Sequence, residues 1–170
     1  MGHPVTIHLI RPTESRTHLM LFTTGLSSKR MNVPSRLTDY ALAELFIQLP
    51  ADWKYESSQA QWQWPVEWLR RIAQYPHDNN TMLGGPVTII ANDDPPKPLG
   101  PNTNFTSLLM IAEKSFQRTD GETVQLYRVF PIYTDERELE IREGTQELIR
   151  AFDRHDVPFI VDLDRPVVAR

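Results

Sequence analysis

Between Asn92 and Asn102 the chain reads Asn-Asp-Asp-Pro-Pro-Lys-Pro-Leu-Gly-Pro-Asn, with four prolines in that span. Proline lacks the N–H that a sheet ladder or a helix interior requires. The segment can therefore only be a long, stiff loop, and regular structure must be built on either side of it. Long ordered loops carry function more often than short ones, although a plain crossover connection fits the same residues. Prolines punctuate the rest of the chain as well, at Pro12, Pro50 and Pro76.

Ahead of the loop, residues 5–10 (Val-Thr-Ile-His-Leu-Ile) are rich in β-branched side chains and stop before Pro12. Residues 18–23 (His-Leu-Met-Leu-Phe-Thr) are similar and end at Gly25. The polar stretch between them predicts two antiparallel strands joined by a loop. Residues 41–49 are long enough for a helix, but Phe46, Ile47 and the stop at Pro50 favour a buried strand. A helix is expected from Trp64-Pro65, because proline in a first helical turn lacks nothing the helix needs. Val66, Leu69, Ile72 and Ala73 then share one face, Glu67, Arg70 and Arg71 lie off it, and Pro76 ends it. All four tryptophans (Trp53, Trp62, Trp64 and Trp68) fall in this region. Such a cluster reads as core or core edge, with a ligand-stacking platform as the second reading.

Val87–Ala91 is a short strand leading into the proline loop. Beyond it, residues 107–112 and 124–133 read as central strands, and Thr119-Asp120-Gly121-Glu122 between them has the chemistry of a hairpin turn. The chain then turns helical. Asp135 with Glu138 matches a capping pattern, Gly144 ends or bends the first helix, and Leu148, Ile149 and Phe152 form the apolar stripe of the next. Residues 159–161 are apolar enough to add an edge strand. Strands early and helices late, without strict alternation, predict an α+β fold: a mixed, largely antiparallel sheet flanked by helices. One domain is expected over residues 1–170, with its core at about 5–154 and a tail at 155–170.

Composition limits the chemistry. The 170 residues include no cysteine, which removes disulfides, thiolate metal sites and a cysteine nucleophile. No apolar run approaches the ~20 residues of a membrane span. The N-terminus lacks the pattern of a signal peptide, so a cytoplasmic location is expected. Gly2 and Thr6 match only a loose lipidation pattern. A net charge of −4 argues against nucleic acid as a partner. Residues 135–156 hold eight acids and four arginines, whereas residues 1–40 hold five basic groups and two acids. The acidic stretch is either a solvated helical face or a surface that steers a basic protein partner.

The only adjacent glycines are Gly84 and Gly85, so no phosphate-cradling loop is present. Gly25-Leu26-Ser27-Ser28-Lys29 lacks the final glycine of a nucleophile elbow. His8 and His18 could meet across the first hairpin as a metal pair, and Asp162 with Asp164 could share a face and hold a cation. Neither forms a recognised constellation. The expectation is a non-enzyme with no metal and no cofactor.

A set of segments, in order, carries a resemblance. It comprises Ile10-Arg11-Pro12, Met31-Asn32-Val33-Pro34, Tyr40-Ala41 with Glu44-Leu45, and Leu49-Pro50-Ala51-Asp52-Trp53. It continues with Trp64-Pro65, Trp68-Leu69, Tyr75-Pro76-His77 and Asn80-Thr81-Met82-Leu83-Gly84. Asn92-Asp93-Asp94-Pro95-Pro96, Phe130-Pro131-Ile132-Tyr133 with Glu136, and Gly144 with Leu148 and Phe152 complete it. The chain resembles the suppressor-of-fused domain family in these segments. The resemblance implies a mixed sheet flanked by helices and a binding protein without catalytic activity. Compact members of the family are largely bacterial, and several are associated with immunity or antitoxin functions. The implied role is to bind and neutralise a partner toxin, with a basic toxin domain as the expected partner. The alternative is an adaptor or regulator that sequesters another protein, and a metal-dependent enzyme ranks last. Tyr133 and Asp135 are carried over as partner contacts, against the plainer reading of core-edge packing and a helix cap. Glu136, Glu138, Glu140 and Glu143 join them from the acidic stretch. Aromatics of the tryptophan-rich segment and an unpaired edge, such as the tail strand, are further expected contacts.

Overall fold

The computed structural model describes residues 4–169, which leaves the Gly2 pattern outside the described residues. Six strands form one sheet: β1 Thr6–Ile10, β2 His18–Thr24, β3 Ala43–Pro50, β4 Val87–Ala91, β5 Ser107–Gln117 and β6 Thr123–Ile132. Their spatial order is β1-β2-β3-β6-β5-β4. Neighbours run antiparallel except β3 and β6, which are parallel. Among the described residues three α-helices complete the fold, α1 Ala60–Asp78, α2 Thr134–Glu143 and α3 Thr145–Arg154, with short 3-10 helices at Leu26–Ser28 and Ser35–Tyr40. About 29% of the chain is helical and 28% strand, so the class is α+β with a mostly antiparallel mixed sheet.

Alternation along the strands divides the apolar side chains between two faces. Leu19, Leu21, Leu45, Ile47, Leu49, Leu108, Met110, Tyr127 and Val129 point to one face and pack with Trp64, Leu69 and Ile72 of α1. Leu109, Phe130 and Ile132 point to the other and pack with Leu139, Leu148 and Phe152 of α2 and α3. Fully burying one such side chain contributes roughly 1.5–3 kcal/mol. The apolar stripe of Leu148, Ile149 and Phe152 thus does what its spacing predicts.

α1 is longer than its sequence indicates. It begins at Ala60, and Pro65 and Pro76 both lie inside it. Each proline forfeits a backbone hydrogen bond, but both rings are buried against the core. The first turn is also fixed from outside the helix. The Trp53 indole N–H donates to the Trp62 carbonyl at 3.0 Å, and the Gln63 amide donates to the carbonyls of Tyr55 and Ser57. Trp53, Trp64 and Trp68 are buried and Trp62 half-buried, with edge-on ring contacts from Trp53 to Trp62 and Trp64. The tryptophan cluster is core, so it does not supply exposed anchors.

Two further expectations are corrected. The start of α2 is closed by Glu136, whose carboxylate accepts the Tyr133 N–H at 3.0 Å, and not by the Asp135–Glu138 pair. Residues 159–161 form no strand. The Val161 N–H donates to the Gln48 carbonyl at 3.0 Å, and the Phe159 carbonyl accepts from the Arg128 side chain of β6 at 3.3 Å. The tail is nonetheless part of the packed interior, since Val161 joins one core cluster and Val168 the other.

Candidate protein-binding site

The proline loop has a structural task. Leu99 is buried, and its carbonyl accepts the Trp68 indole N–H at 3.0 Å. At Gly100 a Cβ would lie 2.4 Å from the Trp64 ring, so the loop approaches α1 as closely as only glycine permits. The Leu99 bond fixes the Trp68 ring in the lining of a groove of about 470 Å³ between the second half of α1 and β4. Trp68, Ile72, Met82 and Leu83 give it an apolar floor, while Arg71 and Tyr75 stand at its mouth. The Arg71 guanidinium lies over the Trp68 ring, 4.4 Å from its centre. Among the described residues no carboxylate is within ion-pair distance of Arg71. Tyr75 is 50% exposed, unusual for a large aromatic.

β4 forms one wall of this groove and is one of the two outer strands of the sheet, β1 being the other. The Pro86 carbonyl accepts from the Ala112 N–H, and the Asn92 N–H donates to the Thr106 carbonyl. In an antiparallel ladder alternate residues face the partner strand. Thr88 and Ile90 therefore direct their backbone groups to β5, and Val87, Ile89 and Ala91 direct theirs outward. An outward row of N–H and C=O groups beside an apolar groove is the arrangement that accepts an added strand.

The residues expected from sequence to contact a partner sit elsewhere and are not one surface. Asp135, Glu138 and Glu143 are exposed on α2. Glu138 lies near Arg137, and Glu143 pairs with Arg142 at 3.0 Å. Glu140 accepts a bond from the Thr145 hydroxyl at 2.8 Å. Glu136 is fully buried and paired with Arg165, so its carboxylate is not available at the surface. The Tyr133 hydroxyl is occupied too, donating to the Arg165 carbonyl at 2.7 Å, and burial pushes its pKa up. On α3, Glu147 pairs with Arg150 and Arg154, and the Arg154 hydrogen bond holds its pKa below the usual range. Much of the acidic stretch is therefore neutralised locally.

The proposed metal pairs are not assembled. His8 stands opposite Phe22 in the register, stacks on it at 4.9 Å and bonds the Thr24 hydroxyl at 2.7 Å. His18 stands opposite Pro50 and bonds the Gln48 amide at 2.7 Å. Burial, then the charges of Arg16 and Arg128, lower the His18 pKa. The Asp162 carboxylate caps its own turn by accepting the Asp164 N–H at 3.0 Å, so the two aspartates do not share an extended face. Among the described residues no group of three or more His, Cys, Asp or Glu side chains could hold a metal ion. No helix among them is long and apolar enough to cross a membrane.

A mixed sheet with helices on both faces and an apolar groove adjoining its β4 edge defines an α+β scaffold that presents a surface. The groove lining includes no carboxylate and no histidine. This chain belongs to the suppressor of fused family: the family model described as Suppressor of fused protein (SUFU) matches residues 2–166. No curated protein sequence matches it. Among solved structures it is similar to the Sufu-Fu complex, with a TM-score of 0.66 and 17% identity over 96% of this chain and 76% of that one. A putative SUFU homologue from Neisseria gonorrhoeae FA 1090 gives 0.64 and 16%, over 98% and 80%. Drosophila Suppressor of Fused gives 0.65 and 16%, over 96% of this chain but only 42% of the longer protein.

Proposed function

We propose that this protein is a non-catalytic binding domain that captures another protein by adding a strand of the partner to β4, and that its role is to neutralise a partner toxin. The observation that carries the binding mode is the outward backbone row of β4 beside the groove floored by Trp68 and Ile72. Main-chain bonds along β4 supply affinity, and the groove selects the side chain that enters it. Arg71, with no internal carboxylate, favours an acidic group on the entering segment. The net charge of −4 still draws a basic partner from a distance, while Arg71 acts only at contact. A structural neighbour solved as a complex, Sufu-Fu, supports protein capture. The immunity role rests on the family resemblance, and a regulatory adaptor is its competitor.

The test is reconstitution with a toxin domain identified beside the chain in its host. Purified protein should inhibit that domain in a fixed stoichiometric ratio, and Arg71→Glu should weaken inhibition. Catalytic inactivation at substoichiometric amounts would refute the binding reading. Tight binding without protection of the host from the toxin would assign the adaptor role instead.

A further inference from the structure

Arg165 belongs to the tail, yet its side chain is only 3% exposed. Its guanidinium is ringed by aromatic faces, with centres 4.7 Å away for Tyr133, 5.0 Å for Phe105, and 5.4 Å for both Phe130 and Phe152. Glu136 grips its two terminal nitrogens in parallel, Oε1 accepting from Nη1 and Oε2 from Nη2, each at 2.6 Å. The Pro131 carbonyl accepts a further bond from Nη2 at 3.2 Å.

Within the tail only the Pro166 carbonyl touches the guanidinium, accepting from Nη1 at 3.2 Å, and the remaining walls come from elsewhere in the fold. Phe130 and Pro131 belong to β6, Tyr133 and Glu136 to the start of α2, Phe152 to α3 and Phe105 to the end of the proline loop. The rings brace one another, Phe105 against Tyr133 and Phe130 against Phe152. Phe105, Phe130 and Phe152 are at most 1% exposed, so packing of the sheet and helices holds them in place.

The chemistry of this pocket is selective. Aromatic faces attract a flat, delocalised cation, and two parallel carboxylate oxygens match the fork of a guanidinium. A lysine ammonium satisfies the charge but neither the plane nor the fork. Arg165 Nε is buried with no hydrogen-bond partner. The site therefore serves the far end of the group and ignores the nitrogen nearest the backbone, as a pocket reading a ligand end-on would do.

We propose that β6, α2, α3 and the proline loop build a guanidinium-binding site, which the chain fills with Arg165 as a tethered ligand and which accepts a guanidinium in trans once that ligand is removed. An arginine on an incoming segment has the same chemistry, and the tail is the competitor it would have to displace.

Chemical rescue tests this in the full chain. Arg165→Ala should lower the melting temperature and speed amide exchange at Val168, whose N–H bonds Glu136 at 3.1 Å. Millimolar ethylguanidinium should restore much of the lost melting temperature in a saturable manner and slow that exchange again. It should do neither for the parent protein or for Arg165→Ala combined with Glu136→Gln. Equal rescue by ethylammonium, equal rescue of the double variant, or no rescue would overturn the proposal. If Arg165→Ala does not fold in buffer, refolding yield with and without ethylguanidinium is the readout, and an unchanged yield counts against the site.

Discussion

Glu136→Gln isolates the charge of the buried pair with almost no change in shape. Four donors converge on the two Glu136 oxygens: Arg165 Nη1 and Nη2 at 2.6 Å, Tyr133 N at 3.0 Å and Val168 N at 3.1 Å. Glutamine offers one acceptor oxygen and turns an NH₂ group towards two of those donors. It also leaves the Arg165 charge uncompensated in the interior. Breaking one side of a buried ion pair costs about 3–5 kcal/mol. For a chain of 170 residues, at ~2.1 cal/mol/K per residue, the unfolding entropy is about 0.36 kcal/mol/K. The expected fall in melting temperature is then about 8–14 °C. Differential scanning calorimetry measures it, with Glu138→Gln as the control, since a change at an exposed site should stay within about 0.5 kcal/mol. Glu136→Leu with Arg165→Met removes both charges and should recover most of the loss. The reasoning fails if Glu136→Gln behaves like the control, or if the double apolar variant is no better than the single one.

Ala91→Pro removes an outward N–H that the sheet does not use, and edge strands tolerate proline. Partner capture measured by calorimetric titration should collapse while the melting temperature stays near that of the parent. Gly100→Ala forces a methyl group against Trp64 and should destabilise by about 1–3 kcal/mol in urea unfolding, as overpacking does. The His18 pKa is lowered from 6.5 in the folded state. The unfolded chain therefore binds the proton first, and this contribution to stability is complete above 6.5 and declines as pH falls below it. Melting temperatures between pH 8 and 5 should fall less steeply for His18→Gln than for the parent.

Local chemistry made most strands legible. The β-branched runs, the turn at Asp120-Gly121 and the stop at Pro50 mark boundaries through interactions a few residues apart. β5 ran past its expected end to Gln117 because its exposed half is held by pairing with residues 123–126 of β6, across a bulge at Glu113. That bulge places Glu113 against Arg128, whose hydrogen bond holds the Glu113 pKa down. The apolar run at residues 159–161 predicts an edge strand, whereas the outer strands are β1 and β4. Choosing between the tail and β4 depends on the strand order, hence on the β3–β6 pairing, which no local pattern encodes. The Glu136–Arg165 pair was illegible for the same reason: 29 residues separate its members, and Glu136 read from sequence as one more surface acid.

The parallel seam between β3 and β6 is short, with four register pairs from Ala43↔Gln125 to Phe46↔Arg128. On each side of it lies an antiparallel meander, β1-β2-β3 and β6-β5-β4, whose connections (residues 11–17, 25–42, 92–106 and 118–122) are all far shorter than the stretch 51–122 between the seam strands. Small loops form first because closing them sacrifices less chain entropy. The two meanders can thus assemble early, and joining them across the seam becomes the late event in folding. Until then each half exposes a raw strand edge, and that interval is when the nascent chain is most open to pairing with the wrong neighbour.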